Sequence, residues 1–305
     1  MKRLTEFSFQ NGSPITLIIG SGVNQHATGR RDGILSNWGS MLGSIFKDCK
    51  FDSRSNYILE FERCLVRLTS KQKFKEASKI ERLKIKALAG EIRKSQADFL
   101  DQLSYPCFLL DSQKVANVIS LNFDLIPELL LNNRKVPKLK FGESKNSRRL
   151  GFNTNRVREI KGINFWHPHG DCANYSTMVL GFRQYGKQMK CLEDMRNFSK
   201  SNRNKSEVPQ PQNWYEALTH AQILVLGASL SKNEIDLWGA LVNRERNFAK
   251  MDNRNQYRKR IFIMWSHKES GCFDMPDWIE PLFPTSHDYN SQWSMLKELF
   301  DRPIK

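Results

Sequence analysis

The sequence predicts an α/β fold in which a parallel sheet is covered by helices. Short apolar runs rich in β-branched residues alternate along the chain with segments of helical periodicity. This alternation is typical of parallel strands that are joined by right-handed crossovers. The predicted strands are, in chain order, residues 15–19, 115–119, 163–166, 223–226 and 260–265.

The spacing of apolar residues predicts the helices between these strands. Residues 54–103 are expected to form long amphipathic helices inserted after the first βα unit, and Pro127 suits the first turn of another helix. Residues 183–212 are polar, with a predicted mobile loop at 199–206. Further helices are predicted near residues 37–42, 214–221, 233–248 and 292–300.

Length and composition indicate one cytoplasmic domain, residues 1–305. The hydrophobic fraction of 39% is enough for a core, but no apolar run is long enough to span a membrane, and no signal-peptide pattern is present. The six cysteines include no CxxC pair, which argues against a zinc ribbon and favours reduced thiols in a cytosol. The formal charge of +16 favours phosphates, nucleic acid or an acidic protein partner.

Four unusual sequences directly follow predicted strands. They are GSGVN at 20–24, SLNFD at 120–124, HPHGD at 167–171 and GASLSKNE at 227–234. The carboxyl ends of parallel strands meet at one edge of the sheet, and open α/β sheets bind ligands outside that edge. We therefore expect the four sequences to lie together and to form a ligand site.

The first of them is a glycine turn that could hold a phosphate. Gly20 and Gly22 would let the backbone turn tightly beside Ser21 and Asn24, at a helix start whose N–H groups attract anions. The third glycine of the dehydrogenase fingerprint is absent, because position 25 is Gln. An ordinary strand-to-helix turn is the alternative interpretation.

Polar groups for chemistry are present in the second and third sequences. The neutral amide of Asn122 could bind a ribose hydroxyl and orient water, whereas Asp124 could bind a ligand or simply cap the following helix. His169 is a candidate general base, and Gly170 would let a ligand approach its imidazole. His167 is the rival base, and the two side chains should point to opposite faces of an extended segment.

Two further alternatives concern the remaining polar groups. The two histidines could bind a metal, but no third His or Cys is grouped with them, so no metal is expected. In the fourth sequence, Gly227 forms another turn, Ser229 could bond a ribose or phosphate oxygen, and Glu234 could receive a ribose diol. Glu234 could instead complete a capping box with Ser231 at a helix start.

The ordered motifs resemble the sirtuin-like (silent information regulator-like) family, and in particular its bacterial antiphage-defence branch. The motifs that carry the resemblance are GSGVN, NWGSML, SLNFD, HPHGD and VLGASLSKNEID, which together span about residues 15–240. The resemblance implies a Rossmann-like parallel sheet with a helical insertion, here at about 54–103, that binds NAD⁺. It also implies that Asn122 and His169 are catalytic and that the cofactor phosphates lie at Gly20, Ser21 and Gly22. The cofactor-binding set is completed by Asn24, Asp124, Gly227, Ser229 and Glu234.

The expected reaction is hydrolysis of the nicotinamide–ribose bond of NAD⁺ to nicotinamide and ADP-ribose. The chain lacks the four-cysteine zinc module of protein-deacylating sirtuins, which disfavours the alternative of an NAD⁺-dependent deacylase. A basic segment at about 134–162 motivates the other alternative, a nucleic-acid-binding subunit with a vestigial nucleotide site. A solvated face is the more usual meaning of such a charge run.

Uncontrolled NAD⁺ hydrolysis would kill the host cell, so the activity is expected to be gated. About sixty residues follow the catalytic region, too few for a large sensor domain. The sequence therefore predicts a homo-oligomer, a separate subunit that senses nucleotides or nucleic acid, or both. As implied by the resemblance, the chain would be an NAD-depleting effector in abortive infection.

Overall fold

The sheet and its flanking helices are seen in a computed structural model of the chain. It describes residues 2–3, 15–29, 32–47, 49, 51, 56–70, 74–100, 105–111, 113–141, 156–201, 211–219, 222–228, 230, 234–249, 261–264, 276, 278–283 and 289–301.

The described residues form one nine-stranded sheet. Its strands are β1 (Lys2–Arg3), β2 (Ile15–Ile19), β3 (Val115–Ser120), β4 (Lys140–Phe141), β5 (Arg156–Ile160), β6 (Ile163–Trp166), β7 (Gln222–Leu226), β8 (Ile261–Met264) and β9 (Ile279–Phe283). They are ordered β1-β9-β8-β7-β2-β3-β6-β5-β4, and only the β6-β5 and β5-β4 pairs are antiparallel. The six strands from β6 to β9 follow the 3-2-1-4-5-6 order of a Rossmann-like sheet.

This topology confirms the predicted α/β class and all five predicted strands. β7, β2, β3 and β6 are parallel neighbours, so the four unusual sequences leave the sheet at the same edge, as expected. The order of the strands reverses between β2 and β7, and this switch point is where such sheets commonly bind ligands.

Helices cover both faces of the sheet. They are α1 (Ser21–Thr28), α2 (Trp38–Ile45), α3 (Tyr57–Thr69), α4 (Phe74–Leu100), α5 (Ile126–Leu131), α6 (Phe182–Ser201), α7 (Trp214–Thr219), α8 (Ile235–Ala249) and α9 (Tyr289–Asp301). Alternate residues of β2 point to opposite faces, so Leu17 packs with α1 to α5 and α9, whereas Ile18 packs with α6, α7 and α8. The result is three layers with a core on each side of the sheet.

Local sequence accounts for where several of these helices begin. The side chain of Asn37 accepts a hydrogen bond from Ser40 at the start of α2, and Asn56 accepts bonds from two backbone N–H groups at the start of α3. Pro127 lies in the first turn of α5, as predicted. None of the helices among the described residues is both long enough and apolar enough to cross a membrane.

Two predictions about irregular structure were wrong. The polar segment after residue 182 is largely the 20-residue helix α6, because its Lys, Arg and Gln residues form helix well and only a few buried side chains are needed. The predicted loop at 199–206 therefore begins inside α6, and its remainder lies outside the described residues. The basic segment contributes β5, which pairs with β6 through a tight turn at Lys161 and Gly162, both with positive φ.

The expectation that the cysteines are all reduced was also wrong. Cys49 and Cys64 form a disulfide, with their Cα atoms 6.3 Å apart. The pairing is a tertiary effect, because it joins the segment after α2 to the buried face of α3. Of the other described cysteines, Cys107 is exposed, Cys172 is buried and Cys191 is half-buried.

Candidate functional site

The two predicted glycine turns pack directly against each other at the switch point. Gly20 N–H donates to Leu226 O at 2.9 Å, and Gly22 N–H donates to Gly227 O at 2.8 Å. A Cβ atom on Gly20 would lie 2.5 Å from Gly227 O, and one on Gly22 would lie 2.7 Å from Gly227 Cα. The contact between backbones therefore requires these glycines, whether or not a phosphate also binds there.

Beside this glycine junction, a cleft opens at the carboxyl ends of β2 and β3. Its volume is about 330 Å³, including space that is open to solvent. Polar and aromatic groups of its wall are Ser21, Asn37, Trp38, Asn122, Phe123 and Asp124. Among the residues that the structure describes, the side-chain amide of Asn122 has no hydrogen-bond partner, although its backbone groups are bonded. The cleft thus offers a free amide between aromatic side chains.

Asn24 and Asp124 form the polar floor of this region. Asn24 Nδ2 donates to Asp124 Oδ2 at 2.8 Å and also to the Leu35 carbonyl at 3.0 Å. The other carboxylate oxygen of Asp124 accepts from the Ile126 N–H, so the helix-start role predicted as the alternative is present as well. Burial raises the pKa of Asp124 to about 6, against the opposing hydrogen bond from Asn24.

His169 lies in a separate buried cluster with two carboxylates. Its side chain is 1% exposed, and Nε2 lies 3.0 Å from Asp236 Oδ2 and 3.6 Å from Glu234 Oε2. Burial lowers the pKa of His169, but the charges of Asp236 and Glu234 outweigh burial and raise that pKa to about 9. The Nδ1 atom is buried and has no hydrogen bond of normal geometry with the described residues.

The residue that sequence reasoning missed is Asp236. It was read as part of an amphipathic helix, and it lies in the first turn of α8 with no exposed surface. Two signals could have found it, namely its position just after a strand-end glycine turn and the absence of any other acidic partner for His169. Burial favours the neutral form of Asp236, yet the His169 imidazole lowers its pKa overall.

The structure gives Glu234 a different partner from the ribose diol that was predicted for it. It contacts His169, and burial raises its pKa against the favourable charge of that histidine. The alternative capping box is wrong, because α8 begins at Ile235 and Glu234 therefore precedes the helix instead of occupying its third position. Ser229 and Ser231 lie outside the described residues.

His167 faces the other side of the sheet, as predicted for a residue two positions from His169. Its Nδ1–H donates to the Asn122 carbonyl at 3.0 Å, and its Nε2 lies 2.6 Å from Glu128 Oε1. Burial lowers the pKa of His167, but Glu128 more than offsets this, so that the pKa is raised. Both ring nitrogens are thus occupied in holding the chain that carries Asn122.

The cleft and the His169 cluster meet at Leu121. Its side chain lines the cleft, and its backbone lies beside the His169 ring and favours the charged imidazole. The structure thus brings Ser21, Asn122 and Asp124 to the cleft, and it gathers His169 and Glu234 behind it. The ligand atoms of His169, Glu234 and Asp236 lie within 4.8 Å of one another, so these side chains could also hold a metal ion, a grouping that the sequence did not reveal.

Comparisons with known proteins add no identity. No family model matches the chain. No curated protein matches it either. The sirtuin-like resemblance therefore stays a prediction, whereas the Rossmann-like α/β fold is a property of the structure itself.

Proposed function

We propose that the chain is an NAD⁺ hydrolase that cleaves the nicotinamide–ribose bond. The observation that carries this proposal is a free amide, Asn122, in a cleft at the edge of a Rossmann-like sheet, with the buried base His169 just behind Leu121. Trp38 and Phe123 give the cleft aromatic surface for a planar ring. A cleft of this kind, apolar with few polar groups, is the usual form of a small-molecule site.

In the proposed reaction, water adds to C1′ as the bond from C1′ to the nicotinamide nitrogen breaks. Nicotinamide leaves as a neutral molecule with the bonding electron pair, so no acid is needed for its departure. The Asn122 amide orients water or the ribose hydroxyls, and His169 takes the proton that water loses. General-base help of this kind contributes about 10²–10⁴-fold, and positioning adds to it.

We further propose that a partner subunit or self-assembly gates the activity. His169 is almost completely buried in this conformation, so substrate can reach its Nδ1 only after a local movement. The formal charge of +16 gives the chain a means of attracting an acidic partner that could supply that movement. A role as the NAD-depleting effector of an antiphage system is part of the same proposal and draws its support from the motifs alone.

The direct test is release of nicotinamide from NAD⁺, with and without the products of neighbouring genes. Asn122→Ala should lower the rate at least 100-fold, and so should His169→Gln, which keeps an amide donor for Asp236. Asn132→Ala is the matched control, because Asn132 is also half-buried but does not line the cleft. Wild-type rates in both site variants would refute the proposal.

The same preparation separates the alternatives. Loss of acyl groups from an acyl-lysine peptide, in step with NAD⁺ consumption, would point to a deacylase. Binding to DNA or RNA that weakens steeply with salt, without nicotinamide release, would point to a nucleic-acid-binding subunit.

A further inference from the structure

Asp236 is a carboxylate whose position is fixed on both sides. Its Oδ1 accepts a hydrogen bond from the Leu237 N–H at 2.9 Å, within the first turn of α8. Its Oδ2 lies 3.0 Å from His169 Nε2. Both side chains are about 1% exposed, so water does not compete for this contact. A short charge-assisted bond in such surroundings holds the imidazole in one orientation.

The contact also decides which imidazole nitrogen can react. An ionised carboxylate only accepts hydrogen bonds, so the His169 nitrogen that faces Asp236 must carry a proton. The other nitrogen, Nδ1, is the buried atom that has no hydrogen bond of normal geometry with the described residues. Buried polar atoms are nearly always bonded, so an open one on a side chain that is otherwise held calls for an explanation such as a catalytic role.

We propose that Asp236 is a positioning residue for His169: it holds the Nε2–H and leaves Nδ1 as the atom that takes the proton. This inference rests on the proposed hydrolase function and deepens it. Proton transfer from water to Nδ1 creates an imidazolium, whose charge Asp236 then stabilises at no cost in reorganisation. Asp236 itself neither gains nor loses a proton in this step.

The neighbouring groups show why this role falls to Asp236. Glu234 is farther from the His169 ring, at 3.6 Å, and its Oε2 is unbonded, so it contributes charge but does not fix the orientation. The Tyr185 ring lies 5.6 Å from the His169 ring, and burial, with the charges of Glu234 and Asp236, raises the pKa of its phenol, which therefore stays neutral. Glu234→Gln is consequently a matched control for Asp236→Asn.

The first test needs no substrate. The ¹⁵N shifts of the His169 ring, followed by NMR against pH in the full chain, report both its proton positions and its pKa. Asp236→Asn should lower that pKa by more than 1 unit and remove the preference for a proton on Nε2, while Asp236→Glu restores both. Glu234→Gln should lower the pKa but keep the preference. An unchanged ring in folded Asp236→Asn, or no rescue by Asp236→Glu, would overturn the proposal.

The second test is kinetic and separates a positioning role from a structural one. Asp236→Asn should lower kcat by about 10²-fold or more with little change in KM, and it should move the rising limb of the pH–rate profile to lower pH. In a His169→Gln background the same substitution should cause no further loss, because Asp236 acts through His169. An equal loss in that background would refute the role.

Other outcomes are also decisive. If no variant or wild type releases nicotinamide while the NMR result holds, the proposed reaction fails and the positioning of His169 stands. Stoichiometric zinc in the purified wild type that is absent from Asp236→Asn would overturn the proposal and make the cluster a metal site instead.

Discussion

His167 and His169 are two residues apart, both buried, and both beside a carboxylate, yet they are used in opposite ways. His167 has both ring nitrogens occupied, by the Asn122 carbonyl on one side and by Glu128 on the other. His169 has one nitrogen against Asp236 and the other without a normal hydrogen bond. A histidine with both nitrogens occupied serves structure, whereas one with an open nitrogen is available for proton transfer.

Residue type and burial alone would not have separated these two side chains. The extended segment between them turns one toward α5 and the other toward α8, so each meets a different set of acids. The difference teaches that the identity of the partners, atom by atom, distinguishes a structural histidine from a reactive one.

The largest expected effect tests the structural histidine. Glu128→Ala should lower the free energy of unfolding by about 3–5 kcal/mol, because it leaves the buried His167 without its charged partner. Urea denaturation measures this change. Glu159→Ala, which breaks an exposed pair with Lys140, is the control and should cost less than about 1 kcal/mol. Equal losses would mean that His167 does not depend on its partner.

The next effect concerns the pH dependence of stability. The pKa of His169 rises from its ordinary value of 6.5 when unfolded to about 9 when folded. Its stabilising contribution is therefore complete below pH 6.5 and is lost as pH rises toward 9, by about 3 kcal/mol in all. The raised pKa of His167 acts in the same direction. Urea unfolding of wild type against pH should show the decline, and His169→Gln should show a smaller one.

A decline of the same size in His169→Gln would contradict the assignment of the raised pKa to that residue. It would place the titration in another group and make the two histidines more alike than their contacts indicate.

The smallest effect tests how the chain places His169. Gly162 and Gly170 have nearly the same positive φ, +81° and +82°, but only a Cβ on Gly170 would meet other atoms, at 2.1 Å from Thr177 O. Gly162→Ala should cost about 1 kcal/mol for the backbone conformation alone. Gly170→Ala should cost about 2 kcal/mol more, from the clash. Thermal unfolding of both variants measures the difference, and equal costs would show that the turn after His169 can relax.

Much of the fold could be predicted because strands have strong local signatures. Residues 15–19 and 223–226 are apolar and largely β-branched or Leu, and each ends at a glycine, so their place and their common edge followed directly. The helix α6 could not be recognised in the same way, since its exposed polar residues hide the few buried side chains. The pairing of Cys49 with Cys64 depends on how two helices meet, which local sequence does not specify.

The candidate site was predictable in its location but not in its partners. Asn122 and Asp124 follow a strand end and do line the cleft. The bond from Asp236 to His169 joins residues 67 positions apart, and only tertiary structure brings them together. Glu234 was assigned to a ribose because it follows a glycine turn, yet the same turn delivers it to the histidine.

The glycine junction at the switch point also restricts how this sequence can evolve. Gly22 and Gly227 belong to strands at opposite ends of the chain, and the backbone contact between them leaves no room for a side chain on either. A substitution in one turn cannot be compensated by a smaller residue in the other, because no residue is smaller than glycine. The two halves of the chain must therefore keep this joint unchanged together, and new specificity has to arise around the cleft instead.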